Sequence, residues 1–189
     1  MPIMTVSAKD SAGDCPTTNG VANFNVDAYL GRWYEHRRDM STPFEWFGEC
    51  GTATYTLKSN GKVDVKNRAW FWWWFFSYYT VEAEATCPAS GKIANCEVQF
   101  GPEKKKDDDY QPNYKVLATD YYNYSVVYSC NKNGWGGKTE YMWILTRDSQ
   151  PSASDKDKYK SIAKTAVPTY DHEHVIYPRH DSSCDYDPK

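Results

Sequence analysis

The chain has 189 residues, of which 16% are aromatic, and its formal net charge is -3 at pH 7. A slightly acidic chain lacks the overall positive field that attracts nucleic acid, so we expect no nucleic-acid partner. No apolar run approaches the roughly 20 residues that cross a bilayer as a helix. The length suffices for one domain with a sizeable core, in which aromatic side chains supply much of the apolar surface.

The six cysteines are spread along the chain without a Cys-x-x-Cys pair. An even number without metal-ligand spacing favours disulfides over zinc ligands, and disulfides indicate an oxidising, extracellular compartment. The competing interpretation is a cytosolic protein with free thiols. Residues 1–14 lack the layout of a signal peptide, so we interpret them as a flexible, mature N-terminal segment before a single domain over residues 15–189. The sequon Asn123-Tyr124-Ser125 is consistent with secretion.

Alternating segments separated by turn signals predict about eight antiparallel strands over residues 31–147. The strongest hairpin signal is Ser59-Asn60-Gly61, between "ECGTATYTL" and "KVDVKNRAW". The other segments are "RWYEHRRDM", "SYYTVEAEAT", "KIANCEVQF", "NYKVLAT", "YSVVYSC" and "TEYMWILTR". Because closure removes exposed strand edges, the pattern predicts an all-β fold, an eight-stranded up-and-down antiparallel barrel.

After the strands the apolar spacing becomes helical, with Tyr159, Ile162 and Ala166 on one face. This pattern predicts a C-terminal helix over about residues 154–166, packed outside the barrel and stopped by Pro168. The tail to residue 189 can add a short edge strand near residues 175–177.

Seven consecutive aromatics, "WFWWWFF", occupy residues 70–76. They cannot all lie on one face of a strand, because successive strand side chains point to opposite faces. A large apolar patch usually marks an interaction site. The run can line a flat ligand, form an oligomer interface or contact a membrane. Alternatively, part of it continues the flanking strands into the core.

Three motifs in order resemble the signature motifs of the lipocalin family. They are "NFNVDAYLGRWYEHRR", "TDYYNYSVVYSC" and "WILTR". The resemblance is greatest to family members that bind bilins, followed by those that carry carotenoids. It implies structural roles for Gly31, which permits close chain approach, for Trp33, which fills the barrel floor, and for Arg147, which lies across the indole as a cation–π contact.

The resemblance also implies the disulfide pairing, since six cysteines alone allow 15 patterns. Cys15 should pair with Cys130, and Cys50 with Cys184. Cys87 and Cys96 would then pair locally, which departs from the two-bridge pattern of the family.

In the implied fold, the aromatic run lies at the open mouth of the barrel, near Phe44, Trp46, Phe47 and Trp135 of other mouth loops. Alternation from an inward Trp33 also places Glu35 and Arg37 inside. Arg37 can pair with Glu35 or bind a ligand carboxylate, and the second role favours a bilin, which has propionates, over a carotenoid. Tyrosines supply both a ring face and a hydroxyl. The candidate ligand-binding residues are Glu35, Arg37, Phe47, Trp70, Trp72, Trp74, Tyr114, Tyr128 and Tyr141.

These observations predict a secreted binding and transport protein that holds a small hydrophobic ligand non-covalently, with the pigment biliverdin as first candidate. The alternatives are a carotenoid of the astaxanthin type, or a lipid or steroid carrier whose aromatic rim contacts a membrane or a second copy of the chain. We expect no enzyme, because lipocalin enzymes use a free pocket thiolate and all six cysteines can pair. We expect no metal, because tail histidines such as His172, His174 and His180 are usually solvated.

Overall fold

The computed structural model describes residues 10–42, 48–71, 76–100, 110–133 and 136–186. Within them, eight strands pair antiparallel with their chain neighbours, and the last pairs with the first to close a barrel. This arrangement confirms the predicted architecture. The strands are β2 (Gly31–Asp39), β3 (Gly48–Leu57), β4 (Val63–Phe71), β5 (Ser77–Thr86), β6 (Asn95–Phe100), β7 (Tyr114–Thr119), β8 (Tyr124–Lys132) and β9 (Gly137–Thr146).

Short elements flank the barrel. Strand β1 (Asp10–Ala12), within the N-terminal segment expected to be flexible, pairs with β9, and β10 (Val175–Ile176) pairs with β2. The one-turn helix α1 (Val26–Tyr29) leads into β2. Helix α2 (Ala153–Ala166) begins after Ser152, whose hydroxyl accepts the Asp155 N–H, and ends before Pro168 as predicted. Among the described residues, no helix is long and apolar enough to cross a lipid bilayer.

The apolar core has two parts, because alternate residues of a strand face opposite sides of the barrel wall. Val127 and Leu145 belong to the part inside the barrel, with Trp33. Tyr128 and Ile144 belong to the part between the barrel and α2. The expectation that Tyr128 lines the calyx is therefore wrong, because its position on β8 directs the side chain under the helix.

A β-bulge in β2 reverses the alternation that the sequence predicts. The pairing of β2 with β9 shifts register between Glu35 and Arg37, so that Arg37 lies opposite Ile144 and Arg38 opposite Trp143. Directly opposed residues share a face of the sheet. The expectation of an inward Arg37 is thus wrong: the extra residue in the bulge directs Arg37 outward and Arg38 inward.

The six cysteines form the three predicted disulfides. The Cys15–Cys130 bond ties the N-terminal segment to β8, and the Cys50–Cys184 bond ties β3 to the C-terminal tail. The Cys87–Cys96 bond links the end of β5 to β6. Two of the bonds thus fasten the segments outside the barrel to its wall.

Candidate ligand-binding site

Trp33 and Arg147 close one end of the barrel. Trp33 is fully buried, and its indole N–H donates to the Tyr29 carbonyl at 2.9 Å. The Arg147 guanidinium lies 3.8 Å from the centre of the Trp33 ring, as predicted. It also donates to the backbone carbonyls of Ala28, Tyr29, Leu30, Arg32 and Tyr121. The closed end is therefore sealed by one stacked cation that satisfies the carbonyls around it.

Above Trp33, four hydroxyl groups form a hydrogen-bonded chain, which we call the hydroxyl chain. The Tyr55 and Tyr114 hydroxyls are 2.9 Å apart, those of Tyr114 and Tyr29 are 3.2 Å apart, and Tyr29 lies 2.8 Å from the Ser125 hydroxyl. Burial, which disfavours the phenolate, raises the pKa of Tyr29 to about 12 and also raises the pKa of Tyr114. Tyr29 and Tyr114 are thus neutral at physiological pH and form a polar but uncharged part of the floor.

A cavity of about 240 Å³ lies between the hydroxyl chain and the mouth of the barrel. Among the predicted residues, Glu35, Tyr114 and Tyr141 line it. Trp143 and Phe71 also line it, although neither was among the candidates. Trp143 follows from alternation, since it lies two residues after Tyr141 on β9. The other residues that line the cavity include Tyr55, Val65, Asn67, Tyr79, Val81, Val98, Phe100, Asn113, Val127, Ser129, Asn131 and Leu145.

A buried ion pair stands at the wall of this cavity. Arg38 donates to the Glu35 carboxylate at 2.7 Å and to the Gly48 carbonyl at 2.9 Å, and both charged side chains are buried. Gly51 leaves room for the pair, because a Cβ atom there would lie 2.5 Å from a Glu35 carboxylate oxygen. The inward cation is therefore Arg38, already neutralised by Glu35. No sequence signal locates the bulge that turns Arg38, rather than Arg37, into the barrel.

Arg37 is buried outside the barrel, where its Nη2 donates to the His172 carbonyl at 2.6 Å. Trp70 also faces outward, with the Arg179 guanidinium 5.8 Å from its ring centre, while its neighbour Phe71 lines the cavity. The expectation that Trp70 lines the calyx is wrong, because the inward positions of β4 are the odd-numbered ones from Val63. The candidates Phe47, Trp72 and Trp74 lie outside the described residues, as do Phe44, Trp46, Trp73 and Trp135.

The raised pKa of Tyr29 predicts a loss of stability in alkali. As pH rises from 10, the tyrosine ionises in the unfolded chain but stays protonated in the folded protein up to about pH 12. The unfolded state then binds fewer protons, so the free energy of unfolding falls across this interval. We expect urea midpoints to decrease from pH 10 to about pH 12, and to decrease less steeply in Tyr29→Phe. Equal slopes in the two proteins would contradict the role given to Tyr29.

The geometry defines a class: a closed antiparallel barrel, sealed at one end and hollow towards the other, which is the architecture of proteins that enclose one small ligand. A family model described as "Lipocalin-like domain" matches residues 24–180. The chain belongs to the lipocalin family, whose members bind and carry small hydrophobic molecules. Within the described residues, no group of three or more His, Cys, Asp or Glu side chains is arranged to hold a metal ion.

Comparisons with individual proteins agree with this assignment. The chain is 37% identical to apolipoprotein D of Mus musculus over 136 residues, which cover 72% of this chain and 67% of that protein. It is 28% identical to the bilin-binding protein of Pieris brassicae over 161 residues, covering 84% and 76% of the two chains. Insecticyanin from Manduca sexta has a similar fold, with a TM-score of 0.73, 19% identity and coverage of 94% of this chain and 92% of that one.

Proposed function

We propose that the protein is an extracellular carrier that holds a flat, conjugated and largely apolar pigment in the barrel cavity. The observation that carries the proposal is the cavity wall, in which the rings of Phe71, Tyr141 and Trp143 surround a space closed below by the hydroxyl chain. Apolar burial against such faces supplies affinity, and a few polar groups set orientation. Three disulfides support an oxidising, extracellular setting.

The charges around the cavity bear on how a bilin would sit. Arg37 faces away from the cavity and Arg38 is paired with Glu35. Arg68 lines the cavity, but its guanidinium stacks on the Tyr78 ring and donates to the Asp185 carbonyl, so none of the three is an open partner for a buried propionate. A bilin such as biliverdin would therefore place its rings against the aromatic walls and keep its propionates in water at the mouth. The relative named bilin-binding protein makes biliverdin the first ligand to test.

A carotenoid is the second candidate, because it has no carboxylate to accommodate. The cavity of about 240 Å³ is slightly smaller than the roughly 300–1,000 Å³ usual for drug-sized ligands. One end ring of a carotenoid would enter it and meet the hydroxyls of Tyr55 and Tyr114, while the polyene extends towards the mouth. Colourless lipids or steroids use the same apolar walls and are the third class to compare.

The test is an absorption titration of the purified protein with biliverdin and, separately, with astaxanthin. We expect a saturable spectral shift with one of them, and an affinity about tenfold lower in Trp143→Ala, a change of about 1.4 kcal/mol. Trp70→Ala is the matched control, because it removes the same side chain from the outer face. Arg37→Met should also leave the affinity unchanged. Absence of a shift with both pigments, or equal losses in the two tryptophan variants, would refute the pigment proposal.

The exposed aromatics favour a second, compatible role in self-association or membrane contact. Phe76 and Tyr79 of the β4–β5 hairpin are 75% and 63% exposed, and Phe100 of the adjacent β6 is 45% exposed. An apolar rim of this kind commonly mediates association. If it joins two copies, the sedimentation coefficient should rise with protein concentration, and Phe76→Ser should reduce that rise while leaving pigment affinity intact. A concentration-independent coefficient, together with no binding to lipid vesicles, would refute this role.

A further inference from the structure

A second cleft, of about 290 Å³, lies on the outer face of the barrel between β2, helix α2 and the C-terminal tail. It is separate from the calyx, because the β2 residue that lines it, His36, is on the opposite face of the barrel wall from Glu35. Among the described residues that line it, none carries a carboxylate. The lining consists of His36, Ser149, Gln150, Lys156, Lys160, Tyr177, Pro178 and His180.

Two lysines of α2 project towards this cleft. Lys156 and Lys160 are four residues apart and therefore lie on the same helix face, where two like charges repel each other. Both residues are partly buried. Lys160 has an ion pair of 3.7 Å with the well-exposed Asp157, and within the described part of the chain Lys156 has none. The Lys156 charge thus has no counter-ion among the described residues, while the Lys160 ammonium is balanced at the exposed Asp157 and lies 5.1 Å from the centre of the Tyr177 ring.

His36 provides an independent indication of a ligand. Its side chain is 8% exposed, and its buried Nε2 has no hydrogen-bond partner among the described residues. Burial, together with the charges of Lys156, His180, Lys160 and Arg37, lowers the pKa of His36 to about 4. By contrast, His180 is fully engaged, since Nε2 bonds the Glu35 carbonyl and Nδ1 bonds the Tyr186 hydroxyl. The surroundings of His36 are therefore positive and lack an acceptor.

We propose that this cleft binds a small oxyanion carrying a phosphate group, either free phosphate or a phosphate monoester. The ammonium groups of Lys156 and Lys160 supply the charge, and the His36 imidazole and the Tyr177 hydroxyl supply hydrogen bonds. Lysine acts towards phosphate as a point charge, so the site needs no rigid bidentate geometry. The volume exceeds that of phosphate alone and leaves room, beside the Tyr177 ring, for the organic part of a monoester.

The site can be tested by titration with inorganic phosphate and with glycerol 3-phosphate near neutral pH, at constant ionic strength. The ring-proton NMR signals of His36 report local occupancy, and calorimetry gives the affinity. We expect saturable shifts of the His36 signals, with a Kd in the millimolar range for phosphate. Tighter binding of glycerol 3-phosphate would identify a phosphorylated metabolite as the ligand class, whereas equal binding would identify phosphate itself.

The variant Lys156→Met/Lys160→Met should weaken binding at least about tenfold. Lys158→Met/Lys164→Met is the matched control, because it removes the same charge from the same helix at exposed positions outside the cleft. The control should change the affinity less than about twofold. Absence of saturation with both compounds, or equal weakening in the two double variants, would overturn the proposal. Far-UV circular dichroism of both variants verifies that α2 remains folded.

Discussion

Replacing Arg147 with lysine is expected to lower the free energy of unfolding by about 3 kcal/mol, since hydrogen bonds from a charged group contribute roughly 1.5–3 kcal/mol each and several would be lost. The guanidinium stacks on Trp33 while its nitrogens donate to carbonyls on α1, on β2 and on the turn before β8. A lysine ammonium concentrates its donors at one point and cannot reproduce the planar fork. Some of those carbonyls would then lose their partner.

Urea unfolding followed by tryptophan fluorescence measures this loss. Arg179→Lys is the matched control: Arg179 lies on the outer surface, and its ion pair with Asp181 is solvent-exposed at both partners. Such surface pairs contribute about 0–1 kcal/mol. A loss below about 1 kcal/mol for Arg147→Lys, similar to the control, would show that the fork at the closed end is not a major source of stability.

The second large effect is expected from removing the Cys50–Cys184 disulfide. The two cysteines are separated by 134 residues. The chain-entropy model predicts a loss of about 5 kcal/mol for the double variant Cys50→Ala/Cys184→Ala. The tail beyond Tyr177 carries Pro178 and His180, which line the outer cleft. Loss of the bond should therefore weaken oxyanion binding as well as stability, whereas pigment affinity should change less.

The Cys87–Cys96 bond offers an internal comparison, because its cysteines are separated by only 9 residues. The same model gives about 2.5 kcal/mol for its removal. Thermal and urea unfolding of both double variants, under identical conditions, test the ratio. Equal losses from the two bonds would contradict the chain-entropy explanation and would indicate that local contacts determine the contribution of each disulfide.

The two arginines of β2 show where the sequence stops being sufficient. Strict alternation from Trp33 predicts Glu35 and Arg37 inside the barrel, and Glu35 is indeed inside. The bulge after Glu35 then directs Arg37 outward and places Arg38 inside the barrel instead. Because side chains alternate with a period of two, one extra residue inverts every orientation after it. The hypothesis that Arg37 holds a propionate depended on its side chain pointing into the barrel, which the bulge prevents.

The residues of the outer cleft show the same limit at longer range. His36, Lys156 and His180 come from β2, α2 and the tail, and the sequence contains no motif that joins them. The packing of α2 against β8 and β9, the pairing of β10 with β2 and the Cys50–Cys184 bond together bring the three segments to one place. Trp70 and Tyr128 were predicted to line the calyx but face outward, for a related reason. The register between neighbouring strands decides which face of a strand points into the barrel.

The sequence by itself determined the barrel and the C-terminal helix, and its resemblance to the lipocalin family implied the disulfide pairs and the Trp33–Arg147 closure. Each of these depends on local patterns, on turn residues such as Asn60-Gly61, or on motifs whose order resembles a known family. The tertiary structure alone decided that Arg38 rather than Arg37 faces the cavity, that Tyr128 supports α2, and that a basic cleft lies outside the barrel. Those features depend on strand register and on contacts between residues far apart in the chain, which no local pattern encodes.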